Sequence, residues 1–94
     1  MIEWTKQAVI QLEQARDYIA LSNSEEVADK IALKIVNHVE QLDQFPMCGR
    51  TGRVGGTREL VIPNTPFIAA YTIDQHRIMI LALYHGAQRW PEVL

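Results

Sequence analysis

Cysteine is all but missing from this 94-residue chain: Cys48 stands alone, which excludes a disulfide framework and a cluster of thiolate metal ligands. No apolar run approaches the length of a membrane span. The opening Met-Ile-Glu-Trp-Thr-Lys has neither the apolar core nor the cleavage site of a secretory signal. Lysine disappears after Lys34. The glycines at 49, 52 and 55 lack the strand-before, helix-after setting of a phosphate-binding loop. His76 and Cys48 have no companions at ligand spacing, so no metal is assigned, and no cofactor is expected. Together these absences lead to an expectation of one cytoplasmic domain over residues 1–94, with no membrane partner.

What is present is an ordinary globular composition, 48% hydrophobic and 21% charged, with the charge unevenly divided. Residues 1–44 hold four basic groups against eight acidic ones, and residues 45–94 hold five against three. All five in the second half are arginines: Arg50, Arg53, Arg58, Arg77 and Arg89. Arginine is the side chain suited to bidentate contact with carboxylate or phosphate. A net charge of −2 weakens long-range steering toward nucleic acid.

The chain is organised around residues 76–91, His-Arg-Ile-Met-Ile-Leu-Ala-Leu-Tyr-His-Gly-Ala-Gln-Arg-Trp-Pro. From Arg77 to Leu83 it is apolar on both alternating faces, Ile78, Ile80 and Ala82 on one and Met79, Leu81 and Leu83 on the other. A half-exposed strand alternates apolar with polar, so this pattern predicts a central strand covered on both faces. Ahead of it, Ile2–Trp4 reads as a short strand and Thr5 as an N-cap. Ala8, Leu12, Ala15 and Ile19 recur at helical spacing up to about Leu21, with Gln7, Gln11, Glu13 and Asp17 facing away. Ser24 caps a second helix, where Glu25, Glu26 and Asp29 suit the dipole and an apolar stripe runs from Ala28 to Leu42. So short a break between the helices predicts an antiparallel hairpin. Residues 45–56, opened by Pro46 and loosened by glycines, read as the mobile loop. Strands follow at Arg58–Ile62, Phe67–Ile73 and Arg77–Leu83.

The fold class is therefore α+β: a helical hairpin packed on one face of a mainly antiparallel four-stranded sheet, in the order β-α-α-β-β-β. The helices can cover one face only. Apolar residues on the other would form an exposed patch, for which a protein partner is the simplest cover.

With that order, and with Arg50-Thr-Gly-Arg53-Val-Gly-Gly-Thr-Arg58-Glu-Leu, Phe67-Ile-Ala-Ala-Tyr71 and Tyr84-His85-Gly-Ala-Gln-Arg89-Trp-Pro, the chain resembles RelE/ParE-family toxins of bacterial type II toxin–antitoxin modules. The resemblance covers nearly the whole chain. It implies growth arrest by the free toxin, neutralisation by a cognate antitoxin that wraps it, a role in plasmid stabilization, and operator DNA reached only through the antitoxin. RelE-type members cut messenger RNA on the ribosome; ParE-type members poison DNA gyrase. The missing lysines, the acidic balance and the His85-to-Pro91 ending resemble the ParE branch.

Three functions follow as expectations. The first is a gyrase-binding toxin with no chemistry of its own. The second is a ribosome-dependent endoribonuclease in which Arg58, Arg77, Tyr84, His85 and Arg89 position the RNA and stabilise charge. The third is an inactive homologue that serves as the antitoxin's partner and co-repressor. Partner binding is assigned to Arg50, Arg53, Arg58, Arg89 and Trp90. Several have a plainer alternative: Arg58 or Arg89 pairing with Glu59 or Glu92 at the surface, Trp90 plugging the sheet edge, and His85 ending its strand in a hydrogen bond.

Overall fold

The computed structural model describes residues 1–86. Five strands form one sheet in the order β1-β5-β4-β3-β2, with β1 at Ile2–Trp4, β2 at Arg50–Thr51, β3 at Arg58–Val61, β4 at Phe67–Asp74 and β5 at Arg77–His85. Helices α1 (Lys6–Ser22) and α2 (Glu25–Glu40) follow β1, and a short 3-10 turn at Gln41–Asp43 extends α2. β1 pairs with β5 in parallel; the other pairings are antiparallel.

The helices start where their caps place them. The Thr5 hydroxyl accepts from the Ala8 amide, and the Ser24 hydroxyl accepts from Val27. Arg16 donates to Asp29 at 2.8 Å and ties the hairpin across its two arms. Ala8 and Ile19 from α1, and Ala28, Ile35 and Val39 from α2, meet Leu60, Ala69, Tyr71, Ile78, Ile80 and Leu83 in the main core.

Two expectations about the strands are corrected. The sheet has a fifth strand, because Arg50 and Thr51, placed by sequence in a mobile loop, pair with Glu59 and Arg58. The face assignment of β5 also changes halfway along. Ala70 opposes Ala82 while Tyr71 opposes Ile80, so Leu81 is an extra residue. A β-bulge of this kind reverses the alternation beyond it. Ile78 and Ile80 point to the helices, and so does Leu83, whereas Ala82 and Tyr84 join Ala70 on the opposite face.

The bulge is held from the edge. The Thr5 amide donates to the Ile80 carbonyl at 3.0 Å, and the Thr5 hydroxyl donates to the Leu81 carbonyl at 2.9 Å. Gln11, expected to face away, turns its Oε1 to accept from the Leu83 amide at 2.8 Å. A strand edge that outruns its three-residue neighbour thus finds side-chain partners on α1 and on its N-cap. On the second sheet face the expected exposed apolar surface is largely absent among the described residues: Ile68, Ala70, Ala82 and Tyr84 are buried, and Val61 at its margin is exposed. Among the described residues, no helix is long and apolar enough to cross a membrane.

Candidate functional site

The arginine-bearing loop between α2 and β3 is built around two side chains from the sheet. Tyr71, fully buried in the middle of β4, extends its hydroxyl to the loop's first turn. It donates to the Pro46 carbonyl at 2.8 Å and accepts from the Gly49 amide at 3.0 Å. A Cβ at Gly49 would lie 2.5 Å from the Tyr71 oxygen and 2.8 Å from the Glu59 carbonyl, so glycine is required by close approach. Arg58 completes the strap, donating to the Gly49 carbonyl at 2.7 and 3.1 Å and to Met47 at 3.1 Å.

Glu59 organises the next turn. Its neighbour Leu60 lies in the main core, so Glu59 falls on the other face, in register with Ala70. Its side chain is only 2% exposed. One carboxylate oxygen accepts from Arg50 Nε at 3.0 Å and Nη2 at 2.9 Å. The other accepts from the Arg53 amide at 2.9 Å and lies 3.8 Å from its guanidinium. Charge-assisted bonds on both oxygens keep a buried carboxylate tolerable. The two arginine side chains remain about half exposed, 53% and 49%. The surface pairing of Arg58 with Glu59 expected from sequence is therefore replaced: Glu59 serves Arg50 and Arg53, and Arg58 serves backbone carbonyls.

The end of β5 forms a second feature. His85 meets the Phe67 ring edge-on at 5.8 Å. The two line a groove of about 300 Å³ with Gln11, Gln14, Ala15, Tyr18 and Leu83. Tyr84 points to the opposite face, where burial pushes its phenol above the ordinary value. Arg77 stands at the other end of the strand and grips Glu3 through two 2.8 Å contacts.

The structure thus brings Arg50, Arg53 and Arg58 together on the β2–β3 hairpin, but scatters the residues considered for RNA cleavage. Tyr84 and His85 occupy opposite faces. Arg77 and His85 lie eight residues apart on one strand, about 25 Å. Arg89 and Trp90, with the pairing of Arg89 and Glu92, lie outside the described residues. No group of three His, Cys, Asp or Glu side chains that could hold a metal occurs among the described residues. Sequence reasoning missed Glu59, Tyr71 and Gln11. A glutamate beside leucine inside an apolar strand was the available signal for the first; nothing local marked the others.

Comparison with known proteins adds three findings. A family model described as the ParE toxin of the type II toxin–antitoxin system parDE matches residues 2–90. A curated protein of Sinorhizobium fredii, Y4kP, named as a candidate toxin, is 36% identical over 93 residues, covering 99% of this chain and 95% of its own. A solved chain from the chromosomal ParDE toxin–antitoxin system of P. aeruginosa superposes with a TM-score of 0.84 at 29% identity, covering 89% of this chain and 92% of that one.

Proposed function

This chain belongs to the ParE toxin family of type II toxin–antitoxin systems, and on that premise we propose that it arrests bacterial growth in the cytoplasm by binding DNA gyrase. It does so without chemistry of its own, and a cognate antitoxin neutralises it and supplies any contact with operator DNA. The observation that carries the binding reading is the dispersal of the candidate catalytic groups. Arg58 is committed to the carbonyls of Met47 and Gly49, Arg77 to Glu3, and Tyr84 and His85 diverge across the sheet. A phosphoryl-transfer site needs its groups within hydrogen-bond reach of one reacting centre.

Partner recognition is assigned to the arginine loop, through Arg50, Arg53 and Arg58, together with Arg89 and Trp90. Glycine-rich backbone there is tied to Tyr71 and Glu59, so the arginines sit on a fixed frame. A fixed frame loses less freedom on binding.

The test is induction of the free protein with thymidine and methionine incorporation followed side by side, joined by a gyrase supercoiling assay with purified protein. Thymidine incorporation falling first, with supercoiling inhibited, is the expected result. Methionine incorporation falling first would replace this reading with ribosome-dependent RNA cleavage. Undiminished growth would leave a co-repressor partner of the antitoxin.

A further inference from the structure

A neutral residue of Glu59's volume would pack beside Ala70 without desolvating a charge, and a buried ion pair is weak evidence for stability. What the carboxylate supplies is direction. Arg50 spends its Nε and one Nη2 hydrogen on one oxygen of Glu59, which fixes the guanidinium plane and leaves Nη1 and the second Nη2 hydrogen unspent on Glu59, on a side chain about half exposed.

We propose that Glu59 is a positioning residue that holds Arg50 as a preformed, two-pronged donor for a carboxylate on an acidic segment of a protein partner. The inference rests on the partner-binding reading of the arginine loop and names the chemistry that loop recognises. Three arginines stand against one glutamate between residues 50 and 59, so the loop is locally positive on a chain of net charge −2. A single oriented fork on an otherwise acidic protein suits one carboxylate. A phosphate backbone calls for an extended basic surface, and the eight acidic groups of residues 1–44 work against one.

The experiment follows the arginine Nε–H resonances of isotope-labelled protein during titration with a synthetic glutamate-rich peptide. Parallel titrations use a single-stranded oligonucleotide and inorganic phosphate. The peptide is expected to shift the Arg50 resonance saturably. Glu59→Gln then separates positioning from plain charge. It removes a negative group, so unspecific attraction to the peptide strengthens, whereas loss of positioning weakens binding by about fivefold. Equal or tighter binding by a Glu59→Gln protein that melts like the parent overturns the proposal.

Arg50→Lys keeps the charge and loses the fork, so it gives an independent answer if Glu59→Gln does not fold. It is expected to bind about fivefold more weakly, and undiminished affinity overturns the proposal. A response of Arg50 to the oligonucleotide or phosphate but not to the peptide overturns the acidic-peptide assignment. If Arg50→Ala keeps full peptide affinity, the proposal fails while the loop's role can still rest on Arg53 and Arg58. If no probe moves any of the three arginine resonances, the partner-binding role of the loop itself fails, and the proposal with it.

Discussion

The two faces of the sheet are built on different terms. Toward the helices, Leu60, Tyr71, Ile78, Ile80 and Leu83 bury large apolar side chains, and burial of apolar area stabilises that side. On the opposite face, Ala70, Ala82 and Tyr84 form a small cluster, and the buried carboxylate of Glu59 lies in register with Ala70. Its alanines have little area to contribute, and its charge is tolerable only while its hydrogen bonds are kept. One face is held by volume; the other combines a smaller apolar cluster, with Ile68 and Tyr84 buried, and hydrogen-bond geometry.

Substitutions can break that contrast, and the largest effect is expected on the helix face. Ile80→Ala, at a fully buried position, should cost about 3–4 kcal/mol in urea unfolding. A loss below about 1 kcal/mol would mean that the core is not packed as described. Thr5→Ala comes next, since it removes both the α1 cap and the hydroxyl bond to the Leu81 carbonyl. A loss of about 1–2 kcal/mol is expected, together with faster amide exchange along Leu81–Leu83. Unchanged exchange there would show that the bulge needs no clamp.

Tyr84 gives a smaller and pH-dependent effect. Its folded-state pKa is raised by burial above the ordinary 10.0, so the stability linked to the neutral phenol is complete below that value. As pH climbs through 10 toward the folded-state value, that stability is lost. Thermal unfolding of Tyr84→Phe should show a shallower alkaline decline than the parent; parallel curves would assign the decline elsewhere. The smallest effect is expected at the β4–β5 turn, away from both faces. Gln75 adopts φ 57°, so Gln75→Gly should raise stability by no more than about 0.5–1 kcal/mol, read as a shift in melting temperature. A loss would mean that the side chain contributes more than its backbone strain costs.

How much could be read in advance divides along the same line. Thr5, Ser24 and the apolar stripes of both helices announced their elements because capping and periodicity are local properties. The helix–sheet layering followed from them. The bulge at Leu81 could not be read, since one apolar residue more or less in an unbroken apolar run leaves no mark on the pattern. Its consequence reached the site, for it reverses which face Tyr84 and His85 each take. The frame of the arginine loop was hidden for a different reason. It depends on contacts between residues 22 positions apart, Gly49 with Tyr71, and glycine-rich sequence suggests looseness wherever no distant partner is in view. The arginines themselves were legible as a compositional bias; the glutamate that directs them was taken for surface.

The sheet order has a bearing on when this protein can exist during its own synthesis. β5 lies between β1 and β4, and its pairing of Ile2 with Ile78 spans 76 positions of the chain. Until β5 has left the ribosome, β1 has no neighbour and β4 presents an open flank, while the helical hairpin can form early from local contacts. A nascent chain therefore carries finished helices and an unfinished sheet until β5, the last of the described strands, is inserted. Insertion fills an interior place, between β1 and β4, rather than adding to the rim, so the described sheet closes in one late step.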